Sequence, residues 1–160
     1  MGNTDILALL PHRHPFLFVD RIVKLESDSS GTGLKSGIGI KNVSANEPYF
    51  ERQADPVMPP FLLLEGIAQT AAALLCMFHL SVGEPPLIYF MGIDKARLRR
   101  PVRPGEVIHY HVEKIQSRAR FWRYRGQAIV DGALAANAEF SAIIRHGLKE
   151  RGELTLAPQP

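Results

Sequence analysis

Cysteine is almost missing from this chain. Cys76 is the only one in 160 residues, which excludes an intrachain disulfide framework and suits a reducing cytoplasm. The amino terminus, MGNTDILALLPHRHPF, lacks both a basic stretch ahead of its short apolar run and a small-residue cleavage site, so it reads as a poor signal peptide. Ile6 stands where a myristoylation motif needs Ser or Thr. One apolar run, 59–82, approaches spanning length, but Glu65, Gln69 and His79 interrupt it, and a single interrupted run argues against a membrane protein. Strong charge of one sign is also missing. A net charge of +3 favours acidic partners without demanding nucleic acid. His79, His109, His111 and His146 show no metal-ligand spacing with Cys or carboxylates, so neither a metal nor a cofactor is called for. There is no internal repeat, linker or low-complexity segment.

With 46% hydrophobic and 22% charged residues, the composition is that of an ordinary globular protein. Residues 1–160 read as one domain, large enough to bury roughly 70% of its unfolded surface. Its core is expected over 5–145, and the polar, proline-ended tail 146–160 is expected to fray. Thr4 can cap a short helix over 5–10 that Pro11 stops. Branched and aromatic residues make 15–26 and 34–43 strands, with a Ser/Gly turn between them at 28–33. Gly37 and Gly39 mark a bulge or the close approach of another backbone. Strands follow over 87–100, 107–117, 120–131 and 133–145, with Asp131-Gly132 giving a tight hairpin signal. In 107–113, Ile108, Tyr110 and Val112 alternate with His109, His111 and Glu113, placing the histidines on the solvent face.

Between the two groups of strands lies the stretch NEPYFERQADPVMPPFLLLEGIAQ, at 46–69. Pro59 and Pro60 signal a helix start, and apolar residues cover nearly the whole circumference of 60–80, so this helix is buried on most sides, as by a sheet wrapped around it. Two strands, one long helix and a four-stranded antiparallel meander make an α+β domain. Inside the helix, Glu65 and Gln69 are four apart and share a face. A carboxylate following Phe61, Leu62, Leu63 and Leu64 is costly to bury. Its bland reading is a carboxylate satisfied by Gln69 or by helix amides, and its functional reading is a catalytic acid.

Four blocks carry a family resemblance: LPHRHPFLFVDRI at 10–22, NEPYF at 46–50, DPVMP at 55–59 with Glu65 and Gln69 beyond it, and FMGIDKARLRRPVRPGE at 90–106. GQAIVDGALAANAEF at 126–140 is a weaker fifth. In this order they resemble the (R)-3-hydroxyacyl-acyl carrier protein dehydratases of fatty acid synthesis. The resemblance implies a hot-dog fold, a curled antiparallel sheet of six strands around one central helix, dimerised edge to edge. It also implies loss of water from a 3-hydroxyacyl thioester to give the trans-2-enoyl thioester, without a cofactor. In that family a loop histidine works with a helix carboxylate of the other protomer while helix amino-terminal amides polarise the thioester carbonyl.

Glu65 and Gln69 match the helix carboxylate and the glutamine one turn later. The loop departs: the family reads His-Phe-Pro-Gly-x-Pro-x-Met-Pro-Gly, while this chain reads ERQADPVMPP over 51–60. Counting back from Pro59 without a gap, Glu51 occupies the histidine position, as a substitute base or as an exposed loop acid. No histidine occurs between His14 and His79, and Pro60 replaces the final glycine. Met58, Pro59, Pro60, Phe61 and Gln69 are the implied substrate-binding residues. His12 and His14 read as caps and loop packing. Lys95, Arg97, Arg99, Arg100 and Arg103 form the densest basic cluster, either a solvated strand face in which arginines alternate with Leu98 or a docking surface for acidic acyl carrier protein. Trp122 and Tyr124 read as one buried sheet face.

Three functions compete at this stage. The first is a dehydratase-like protein acting on acyl carrier protein or coenzyme A thioesters as a homodimer or an oligomer of dimers. The second is a non-catalytic acyl-binding subunit paired with a histidine-bearing paralogue, and the third is a hot-dog thioesterase.

Overall fold

The computed structural model describes residues 3–28, 34–80 and 86–145. The turn expected at 28–33 and the tail at 146–160 therefore lie outside the described residues, apart from Asp28. Helix α1 (Asn3–Leu9) begins one residue ahead of Thr4. Strand β1 (Arg21–Ser27) starts later than expected, because Phe18 and Val19 turn into the core before the ladder begins. Strand β2 (Leu34–Asn42) and the 3-10 turn Pro48–Phe50 lead to helix α2 (Phe61–Leu80). Strands β3 (Leu87–Leu98), β4 (Val107–Arg118), β5 (Phe121–Val130) and β6 (Ala133–Arg145) follow. They form one six-stranded antiparallel sheet in the order β1-β2-β4-β5-β6-β3.

The sheet curls about α2, which packs against β2, β4, β5 and β6. Ile67, Ala71, Leu74 and Leu75 on the helix and Ile108, Tyr110, Tyr124 and Phe140 on the strands are fully buried, and Trp122, expected on the same face as Tyr124, is buried too. The apolar stretch Phe61–His79 is long enough to cross a membrane, but here its surface is mostly inside the sheet. Asp131 and Gly132 both take positive φ, 50° and 75°, the tight hairpin that Asp-Gly favours. His109 and His111 do alternate with buried Ile108, Tyr110 and Val112.

The glycines of β2 serve the helix more than a neighbouring strand. A Cβ on Gly39 would lie 2.6 Å from Thr70 Oγ1, and one on Gly37 would lie 2.7 Å from Leu74 Cδ2, with the Lys24 carbonyl 3.0 Å away. Gly66 allows the same intimacy from the helix side, since a Cβ there would sit 2.1 Å from the Tyr110 ring.

β3 departs from the expected alternation. Leu98 is half exposed like its arginine neighbours, and Leu87, Tyr89, Phe90, Met91 and Ile93 are exposed too. The strand is at the sheet edge, paired with β6, and its outer row of peptide groups has no strand partner among the described residues.

Candidate active site

Gln69 organises the start of α2. Its Oε1 accepts the buried Phe18 N–H at 2.8 Å, and its Nε2 donates to the Phe16 carbonyl at 3.0 Å and to Glu65 Oε1 at 2.9 Å. One amide thus ties the loop at 10–20 to the helix and fixes the carboxylate one turn back. The bland reading of Glu65, satisfaction by Gln69, is met for one oxygen. The carboxylate is nonetheless open to space on two sides.

On one side is a largely apolar cavity of about 580 Å³ between α1, α2 and the beginning of β3, lined by Leu10, His12, Glu65, Gln69, Cys76 and Ile88 among others. On the other is a smaller hollow of about 270 Å³ that includes Phe61, Phe90 and Phe140 and faces the β3 edge. A cleft of about 310 Å³ around Lys24, Lys35, His111 and Arg125 shares no residue with either. An apolar chamber with a few convergent polar groups is the better small-molecule site, so the Glu65 cavities carry the assignment.

His12, expected to pack within its loop, does stand against Phe16, their ring centroids 6.5 Å apart, and it also reaches Glu65. Its Nε2 lies 3.6 Å from Glu65 Oε1, while its Nδ1 is buried with no hydrogen-bond partner among the described residues. The capping expected of it falls to Arg13, whose guanidinium donates to the carbonyls of Leu7, Leu10 and His12 at 3.1, 2.7 and 2.8 Å. No local pattern could reveal the pairing, because it joins positions 53 residues apart.

The loop at 51–60 is built differently. Glu51 to Asp55 are exposed, and Glu51 lines neither cavity beside Glu65. Buried Lys41 holds the start of this segment by pairing with buried Glu47 at 2.5 Å, and Arg103 grips Asp55 with both guanidinium nitrogens. That hydrogen bond holds the Asp55 carboxyl below its ordinary range. Met58 is in the core, its N–H donated to the Val102 carbonyl at 2.8 Å. The carbonyls of Pro59 and Pro60 accept the N–H groups of Leu62 and Leu63 at 2.9 and 3.2 Å, closing the first turn. Of the implied substrate-binding residues, the structure brings Gln69 and Phe61 to the cavities beside Glu65 and leaves Met58, Pro59 and Pro60 off their walls.

The basic cluster is partly neutralised. Arg100 pairs with Glu106, Arg103 with Asp55, and Lys95 with Glu139 at 3.2 Å. Lys95, Arg97 and Arg99 remain exposed along and just beyond the edge strand.

A sheet of six antiparallel strands curled about one helix, with an acid early in that helix, defines a hot-dog protein. The family model described as a FabA-like domain matches residues 10–139. The chain is 48% identical over 149 residues to the 3-hydroxyacyl-[acyl-carrier-protein] dehydratase FabZ of Sinorhizobium fredii, covering 90% of this chain and 92% of that protein. Identity is 46% over 150 residues to the protein of the same name from Methylobacterium radiotolerans, covering 90% and 91%. A solved structure, the dehydratase heterocomplex ApeI:P from Xenorhabdus doucetiae, shares the fold with a TM-score of 0.74 at 15% identity, covering 90% of this chain and 91% of the other. The chain belongs to the FabA-like family, among its FabZ-type dehydratases.

Proposed function

We propose that this protein is a 3-hydroxyacyl-acyl carrier protein dehydratase of cytoplasmic fatty acid synthesis, taking water from a 3-hydroxyacyl thioester to leave the trans-2-enoyl thioester. The observation that carries the reading is Glu65, held by Gln69 at the junction of two apolar cavities in a chain of this family. Elimination needs a base at the α-carbon and an acid for the departing β-hydroxyl. A carboxyl at the mouth of an acyl-sized cavity can supply the acid. Glu51, at the family's histidine position, lines neither cavity, so it could serve as the base only if a dimer delivered it from a neighbouring loop.

Dimerisation through β3 is part of the proposal. An edge strand bearing exposed Leu87, Tyr89, Met91 and Ile93 is a surface that another strand would cover. Lys95, Arg97 and Arg99 on that side suit an acidic carrier delivering its thioester. The test is hydration of a crotonyl thioester, or dehydration of the 3-hydroxybutyryl thioester, by the purified chain. Activity abolished by Glu65→Gln supports the reading, and equal inertness of both proteins overturns it.

A second reading is a subunit that needs a histidine-bearing paralogue. It is favoured by the absence of histidine between His14 and His79 and by the heterocomplex among its fold neighbours. Activity appearing only on addition of such a paralogue would select it, whereas full activity of the chain alone would remove it.

A further inference from the structure

We propose that His12 is the second acid–base residue of this site, acting with Glu65 of the same protomer. The inference rests on the dehydratase reading of Glu65 and supplies, from the loop before β1, the imidazole that the loop before α2 lacks. Its geometric basis is direct: Nε2 of His12 is 3.6 Å from Glu65 Oε1, and both side chains line the cavity of about 580 Å³.

The surrounding groups leave this pair alone with the chemistry. Among the described residues, the titratable side chains lining the cavity are His12, Arg13, Glu65 and Cys76. Arg13 is turned to the backbone carbonyls of Leu7, Leu10 and His12. Burial pushes the Cys76 thiol up to about 11, so it keeps its proton at neutral pH. An imidazole and a carboxyl remain, the pairing of types best suited to moving protons near neutrality. Both are held in place, Glu65 by Gln69, and His12 by a loop tied to α2 through Gln69 and to α1 through Arg13.

In the dehydration direction His12 takes the proton from C2 of the acyl chain. The electron pair left behind forms the C2–C3 double bond as the C3–O bond breaks, and Glu65 protonates the departing hydroxyl, which leaves as water. The site then holds an imidazolium and a carboxylate 3.6 Å apart. Return of one proton from His12 to Glu65 restores the starting pair.

The experiment compares wild type, Glu65→Gln, His12→Gln and His12→Ala in crotonyl thioester hydration, with circular dichroism melts to confirm folding and exposed His14→Gln as control. The expected result is a fall in kcat on the order of 10² to 10³ for both His12 variants, KM within a few-fold of wild type, and partial recovery of His12→Ala with added imidazole. A merely structural role would not produce that rescue. An active wild type whose His12→Gln variant keeps its kcat, or loses efficiency through KM alone, overturns the assignment and leaves the Glu65 reading intact. Inert wild type overturns both.

Discussion

Two loops converge on the amino-terminal half of α2, and they have been treated in opposite ways. The loop at 10–20 is tied down through its backbone: Gln69 receives and returns its backbone hydrogen bonds, Arg13 closes the end of α1, and His12 is left beside Glu65. The loop at 51–60 is held as well, by the Lys41–Glu47 pair before it, by Gln53, which donates to the Tyr49 carbonyl at 2.5 Å and accepts the Val57 N–H at 3.0 Å, by the Arg103–Asp55 pair and by Met58, but its side chains from Glu51 to Asp55 face solvent and not the cavity. Rigid support of a polar side chain against a cavity is what a proton-transfer site needs. The comparison teaches that position in a family motif and delivery to the cavity are separate properties, here held by different loops.

Breaking the contrast at its centre should have the largest effect. Glu65→Gln keeps the hydrogen bond from Gln69 available in shape but removes the exchangeable acid, and kcat for crotonyl thioester hydration should fall on the order of 10³-fold. Next, Gln69→Leu unties the first loop. The buried Phe18 N–H loses its acceptor and the Phe16 carbonyl its donor, so urea unfolding should register a loss of about 2–3 kcal/mol, accompanied by a fall in kcat as Glu65 loses its tether.

Asp55→Asn makes the corresponding cut in the second loop. Because the Arg103 pair is exposed, the unfolding midpoint should stay near that of wild type. A large destabilisation would show that the second loop is as tightly supported as the first.

Another small effect lies away from both loops. Burial first, then His109 and Lys24, holds the His111 imidazole below its ordinary range. The unfolded chain then binds the proton more readily, so stability is lost as pH falls from about 6.5. Urea midpoints near pH 7.5 and pH 5.5 should diverge less in His111→Gln than in wild type.

Much of the fold was legible because it is written in local pattern. The period-2 runs from β4 to β6, the Asp131-Gly132 hairpin and the apolar circumference of α2 each declare themselves within a dozen or so residues. β3 reads as a strand but not as an edge, because its first half is apolar on both faces and only the sheet order shows that, among the described strands, β6 alone pairs with it. Glu65 and Gln69 were legible as a costly polar pair in an apolar helix. His12 was not, since an exposed-looking His-Arg-His turn is brought to Glu65 by Gln69 clasping the backbone of Phe16 and Phe18, a contact with no periodicity to betray it.

The central claim is that the acid–base pair sits on the first loop and α2. It is tested most directly by measuring kcat of His12→Gln and Glu51→Gln side by side on one crotonyl thioester. The account predicts that the His12 variant loses on the order of 10²-fold or more and falls well below the Glu51 variant. A deep loss at Glu51 with wild-type turnover at His12 would contradict it and return the chemistry to the second loop.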